Sequence, residues 1–329
     1  MIDFLLVFGS FLISTLLMGR IIAWSKSFGL VDNINERSSH NEPTPRGGGI
    51  IIVIMTLIAG LFHMGYMMQV GDGVVPWFYV ALLGGGALVA WVGLLDDRYE
   101  LSAKVRLLSQ CIAVAPAVYF LPHIITFMPV WADKTIFFLL WIWFINLYNF
   151  MDGIDGLAGA EAVFLGAVLS LLSPFFKPLA LVLAGSTLGF LRVNISVKRP
   201  SKIFMGDVGS TFLGFMFAGI IFYTATWETL LIFLSLTLAF SGDATFTLIK
   251  RLMQGKKPWH AHKEHFYQRA VHNVGMSHTD VVIKFTFVNI VLMLVVLGGL
   301  AAGLGPWTFL LALVVIAYPA RRISKLEGK

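Results

Sequence analysis

TIFFLLWIWFINLYNFMDGIDGLAGAEAVFLGAVLSLL, residues 135–172, passes from an apolar stretch through a polar motif and directly into a second apolar stretch. The motif itself, NLYNFMDGIDGLAG (146–159), carries Asn146, Asn149, Asp152 and Asp155. Apolar runs of about 20 residues cross a hydrocarbon layer of about 30 Å at a helical rise of about 1.5 Å per residue. An ionised carboxylate is costly inside that layer, so acids between two such runs belong where helix ends meet water and mark a functional position.

Working outward, similar runs begin near Ile2, Ile50, Trp77, Val105, Thr135, Leu157, Pro178, Gly209, Thr229, Val281 and Pro306. The expected architecture is therefore an all-α polytopic membrane protein, a bundle of about 10–11 transmembrane helices forming a single integral-membrane domain over 1–329. Composition agrees, with 57% hydrophobic and 13% charged residues. The runs 135–150, 178–191 and 306–320 are short for a span, which calls for tilt, local thinning or a half-buried segment. The first run lacks a preceding basic residue and carries Asp3, with Arg20 and Lys26 after it. An uncleaved first span with its N-terminus outside is expected, rather than a secretory signal. Cys111 lies within an apolar run and is read as packing.

The net charge of +6 could suggest a nucleic-acid partner, but its distribution explains it otherwise. With connections alternating across the membrane, Lys134 and Lys177 fall on the side of the N-terminus. The other Lys and Arg sit in or beside 20–49, 96–106, 192–202, 250–284 and the tail from Arg321. That bias makes those segments cytoplasmic and leaves no call for nucleic acid. The opposite connections, such as VGDGVV (70–75) and TATWE (224–228), are short and nearly uncharged. With the ionisable groups gathered on one face, a transporter with a midplane site is disfavoured.

Three acidic clusters follow along that face: GLLDDRYELSAKVR (93–106) with Asp96 and Asp97, the motif at 146–159, and IFMGDVGS (203–210) with Asp207. Mg²⁺ is usually held by one or two carboxylates with substrate phosphates and water. On a helix, Asn149, Asp152 and Asp155 would share a stripe, with Gly153 and Gly156 permitting close approach. Any one of these acids alone could be a helix cap. A CDP-alcohol phosphotransferase motif is excluded, because AGAEAVFLGAVL (158–169) lacks the Arg and the paired Asp which that motif requires.

The longest polar connection contains GKKPWHAHKEHFYQR (255–269), with His260, His262, His265 and Arg269 among lysines. Its positive charge and lack of nearby cysteine oppose a zinc site. It suits phosphate binding, the alternative being a basic loop held on anionic lipid. NEPTPRGGG (41–49), with Arg46, lacks the strand and helix context of a dinucleotide loop; its glycines fit close packing or backbone approach to phosphate.

PRGGG, GLLDDR…LSAKVR, NLYNFMDGIDGLAG, FMGDVGS and the histidine-containing loop together resemble, in order and over nearly the whole chain, the polyprenyl-phosphate N-acetylaminosugar-1-phosphate transferases. The resemblance implies a bacterial inner-membrane enzyme with its active site and C-terminus cytoplasmic. It would move an N-acetylaminosugar 1-phosphate from a UDP-sugar to polyprenyl phosphate, release UMP and start O-antigen or related envelope polysaccharide synthesis. Mg²⁺ is the implied cofactor, Mn²⁺ its substitute, and a homodimer is compatible with it. Asp207 is implied as the principal metal ligand with Asp152, and Asp96, Asp97, Asn149, Asp152 and Asp155 as catalytic. Phe204 is implied to stack on uracil and Asn194 to lie near the nucleotide; Arg46, Lys104, Arg106, His260, His262, His265 and Arg269 complete the substrate-binding candidates. The spread histidines, WHAHKEH, are more similar to the O-antigen branch than to the phospho-MurNAc-pentapeptide translocase, which stays as the alternative beside a non-enzymatic lipid-linked transporter. Direct attack by lipid phosphate and a covalent aspartyl intermediate both remain open.

Overall fold

The computed structural model describes residues 1–32, 43–71, 76–195, 200–256, 262–305 and 307–327. The described chain is helical but for one antiparallel pair of two-residue strands, β1 (Val31–Asp32) and β2 (Thr44–Pro45). The helices are α1 (Ile2–Ser27), α2 (Ile50–Val70), α3 (Trp77–Tyr99), α4 (Ala103–Tyr119), α5 (Val130–Phe150), α6 (Leu157–Leu172) and α7 (Lys177–Asn194). They continue as α8 (Asp207–Thr224), α9 (Trp227–Ser235), α10 (Leu238–Met253), α11 (Phe266–His272), α12 (His278–Ala301) and α13 (Trp307–Glu327). Among the described residues, seven helices are long and apolar enough to cross a membrane, or eight if α9 and α10 are one span. The protein is thus an all-α, multi-pass membrane protein.

Local chemistry sets the boundaries. Ser102 accepts a hydrogen bond from Val105 N and opens α4, and Ser277 with Asp280 forms a capping box at the start of α12. Two runs that look short in sequence are completed by less apolar residues: α5 begins at Val130, and α7 is preceded by a 3₁₀ turn at Pro174–Phe176. The run from Thr229 is not one straight span. It breaks between α9 and α10 with a bend of 84°.

α8 lies at the centre, buried along almost its whole length against α3 and α5. Trp141 on α5 donates its indole N–H to the Phe215 carbonyl at 3.0 Å, so even the most apolar contact carries a directional bond. Gly93 lets α3 touch the start of α8: a Cβ there would meet the Asp207 carbonyl oxygen at 2.6 Å. Lys177, opening α7, pairs with Asp3 of α1 at 2.5 Å. The start of α7 therefore lies at the N-terminal end of the bundle, as alternating connections require.

Candidate active site

The ends of α3 and α5 and the start of α8 bring the three acidic clusters together. Asp97 accepts hydrogen bonds from the backbone N–H groups of Asp207 (3.0 Å) and Val208 (3.2 Å). Its carboxylate therefore caps α8 and meets the positive end of that helix dipole. Its neighbour Asp96 accepts from Leu101 N at 2.6 Å and from Arg106 Nη1 at 2.9 Å. The same Arg106 nitrogen lies 3.6 Å from Asp207 Oδ2. Asn149 donates to Asp207 Oδ1 at 2.9 Å and to Ser210 Oγ at 3.0 Å. Asp207 is thus fixed by a neutral amide on one oxygen and faced by a guanidinium on the other.

Asp152 and Asp155 do not share a helical stripe. α5 ends at Phe150 and α6 starts at Leu157, so both acids lie in the turn between them, with Gly156 at φ +84°. Asp152 makes no side-chain hydrogen bond among the described residues. Desolvation in the crevice raises its carboxyl well above the usual range, and the nearby charges of Asp207, Asp97 and Asp155 add to this, with Arg46 opposing. Asp155 meets His278, the first residue of α12, at 3.3 Å between Oδ2 and Nδ1. Sequence reading missed His278; a histidine directly inside the Ser277–Asp280 capping box was its signal.

The glycine segment joins this centre through its backbone. Phe204 N donates to Pro45 O (2.8 Å), Gly48 N to Phe204 O (2.8 Å) and Gly49 N to Met205 O (2.9 Å). Arg46 pairs with Asp32 at 2.6 Å and is within electrostatic reach of Asp97 and Asp152. The half-buried Phe204 stands between the glycines and Asp207. Asn194 is buried, accepting from Gly156 N at 2.8 Å and donating to Ile203 O at 3.0 Å. Its amide ties the acidic turn to the Phe204 segment. Lys104 is exposed on α4.

The histidine loop splits. His260 lies outside the described residues. His262 and His265 lie with ring centroids 4.8 Å apart and their planes tilted by 32°. Burial, with His265 and Arg251 beside it, lowers His262 to about 4, so at neutral pH it offers a hydrogen bond rather than a charge. His265 is buried against Asp243 of α10, at 3.3 Å. Asp243, absent from the sequence candidates, also accepts from Phe266 N (2.9 Å) and Tyr267 N (3.1 Å) and so caps α11. Tyr267 donates its hydroxyl to Phe150 O at 2.8 Å and packs on Gly153, binding the loop to the acidic turn. Arg269 lies over the Phe266 ring.

The donor set suits a hard divalent cation. Among the described residues Asp152 has no protein donor on its carboxylate, Asp207 stands beside it, and the surrounding charge is negative. Among the described residues no group of three or more His, Cys, Asp or Glu side chains converges as a metal cage. A site of two carboxylates completed by substrate phosphates and water needs none.

A helical membrane bundle with clustered acids at one rim, an Arg on two of them and a glycine backbone beside them defines a class of membrane enzyme that handles phosphates. Residues 78–225 match the model of glycosyl transferase family 4. A Bacillus subtilis protein named as a probable undecaprenyl-phosphate N-acetylglucosaminyl 1-phosphate transferase is 31% identical over 271 residues, covering 76% of this chain and 72% of its own. A decaprenyl-phosphate N-acetylglucosaminephosphotransferase of Mycolicibacterium smegmatis is 28% identical over 295 residues, covering 78% and 72%. The undecaprenyl-phosphate alpha-N-acetylglucosaminyl 1-phosphate transferase of Escherichia coli K12 is 26% identical over 360 residues, covering 96% and 90%. The chain belongs to this family of polyprenyl-phosphate aminosugar-1-phosphate transferases. It is a phosphoglycosyltransferase.

Proposed function

We propose that the protein transfers an N-acetylaminosugar 1-phosphate, GlcNAc 1-phosphate or a 6-deoxy relative, from its UDP-sugar to polyprenyl phosphate at the cytoplasmic face of a bacterial inner membrane. O-antigen initiation is the pathway step that suits it best. The observation that carries the reading is the meeting of Asp96, Asp97, Asn149, Asp152 and Asp207 where apolar helices end, the level at which a lipid head group and a water-borne nucleotide can meet. The names of the relatives support the acceptor and the aminosugar.

In the reaction, an oxygen of the lipid phosphate attacks the sugar-linked β-phosphorus. A new P–O bond forms as the bond from that phosphorus to the bridging oxygen breaks, and UMP departs with the electron pair. A phosphate monoester has its second pKa near about 6 and is largely ionised at neutral pH, so no strong protein base is required. Asp97 holds the start of α8, Asn149 and Arg106 fix the two oxygens of Asp207, and the Asp155–His278 contact sets the acidic turn. Asp207 and Asp152 are the residues that would hold Mg²⁺, which would supply charge neutralisation for the diphosphate. Arg46 and Arg106 add fixed positive charge near the phosphates.

The test is UMP release by purified protein given polyprenyl phosphate, Mg²⁺ and a panel of UDP-N-acetylaminosugars. Release that requires both the lipid and one UDP-sugar is expected; no release with any pair would overturn the reading. Orientation has its own expected outcome. In a Cys111→Ser background, cysteine placed at Gly73 is labelled by an impermeant thiol reagent on intact cells, and cysteine at Gly255 only after the membrane is opened. The reverse pattern would put the acids on the outer face.

A further inference from the structure

Away from the acidic crevice, two polar side chains meet inside the bundle. Glu161 of α6 is 1% exposed and Asn289 of α12 is 2% exposed. Asn289 donates its amide to Glu161 Oε2 at 2.5 Å. The other oxygen of each, Glu161 Oε1 and Asn289 Oδ1, is buried with no hydrogen-bond partner among the described residues. An ionised Glu161 would leave two acceptors unpaired in a low-dielectric interior, as a charge that no cation among the described residues pairs with. Each such group keeps its desolvation cost uncompensated, and a charged one keeps more.

A proton on Oε1 changes that accounting. It turns one acceptor into a donor, and the pair can then close as a ring, amide N–H to Oε2 and carboxyl O–H to Oδ1. We propose that Glu161 is held as the neutral acid in a cyclic acid–amide pair with Asn289, and that the pair is a positioning clamp for the catalytic turn. The clamp joins α6 to α12 inside the membrane. The same two helices meet again at their cytoplasmic ends, where Asp155 lies just before α6 and His278 opens α12, 3.3 Å apart. Val282 of α12 also packs against Gly156 of that turn. Two points of attachment fix the mutual rotation and spacing of a helix pair, which one alone does not.

The ionisable groups on the neighbouring helices leave this assignment intact. Tyr148 of α5 is within electrostatic reach but donates its hydroxyl to Ala158 O at 2.8 Å. α8 carries Asp207 at its first residue, α7 carries Lys177 and Arg192 in its end turns, and α12 carries His278, Asp280 and Lys284 in its first two turns. Asp207 is held by Asn149 and Arg106, Lys177 by Asp3, His278 by Asp155 and Asp280 by Ser277.

Glu161→Gln tests the idea directly, since a primary amide makes the same ring with Asn289 without a titrating proton. The proton is read by infrared difference spectroscopy of wild type minus Glu161→Gln. A protonated-carboxyl C=O band that persists at pH 7 and shifts in Asn289→Ala is expected. Thermal unfolding of Glu161→Gln should match wild type near pH 4 and exceed it increasingly as the pH rises toward 7, because a carboxyl kept neutral in the fold must take up a proton that the unfolded chain releases above about pH 4.3. The positioning role rests on the transferase reading and is measured separately by UMP release. Glu161→Gln should keep kcat within about threefold, and folded Glu161→Ala should lose at least about tenfold in kcat with KM for the UDP-sugar little changed. Absence of the carboxyl band, or stability that rises with Na⁺ in wild type and not in Glu161→Gln, overturns the neutral pair in favour of an ionised or cation-binding one. Gln and Ala variants equally impaired, or Ala as active as wild type, overturn the clamp while leaving the transferase reading in place.

Discussion

Asp207→Asn is expected to lower kcat by at least about a hundredfold while the protein inserts and unfolds as wild type does, a loss of about 3 kcal/mol in the transition state. The substitution is close to isosteric. Asn149 can still donate to the side-chain oxygen it now holds at 2.9 Å, and Asp97 still caps α8 through the backbone N–H groups of residues 207 and 208. What disappears is one negative charge beside Asp152 and opposite Arg106. The effect should therefore be on the chemistry, with an acidic residue lost from the first turn of α8 costing only some tenths of a kcal/mol. UMP release across a Mg²⁺ titration, alongside thermal unfolding, checks it. Near-normal turnover at limiting Mg²⁺ would overturn the proposal that Asp207 holds a metal ion.

The second large effect lies away from the acids. Asp243→Ala strands the N–H groups of Phe266 and Tyr267 and removes the partner of His265 and of the Thr247 hydroxyl. With unpaired buried groups costing about 1–3 kcal/mol each, α11 should detach from α10 at a cost of at least about 3 kcal/mol. Tyr267 would leave Phe150 and Gly153, so the acidic turn loosens with it. The expected results are rapid proteolysis between residues 254 and 266 and a fall in turnover of at least about tenfold. Asp243→Asn retains one acceptor and should fall between. An Ala variant with wild-type protease resistance and turnover would show that α11 is held by other means.

The helices were largely legible, because hydrocarbon thickness imposes a length on apolar runs that needs no tertiary knowledge. Each of the eleven runs became helix, seven of the helices, or eight with α9 and α10 as one span, being long and apolar enough to cross a membrane among the described residues, and the acidic clusters did converge. The 84° bend was not legible: LSLTLAF (234–240) has neither Gly nor Pro, so nothing local announces it. The turn at 151–156 was misjudged because three-residue spacing fits a helix as well as a loop. Asp243, Glu161 and Asn289 were hidden for another reason. Each belongs to no acidic or polar motif in the sequence, and its importance comes from a partner 22 to 128 positions away.

The backbone pairing of Gly48 and Gly49 with Phe204 and Met205 has a temporal consequence. It links segments separated by most of the length needed for six helices, and the Asp97 carboxylate waits for amides that lie 110 and 111 residues downstream. A chain emerging from the ribosome at about 5–20 residues per second must therefore insert α1 through α7 before α8 can dock. Until then the Asp97 cap has no helix to hold, and the acids at 96, 97 and 152 have no joint ligand to share. The candidate site is thus assembled late in biosynthesis, and a nascent chain arrested before residue 207 carries helices enough to reside in the bilayer yet lacks the one that completes the site.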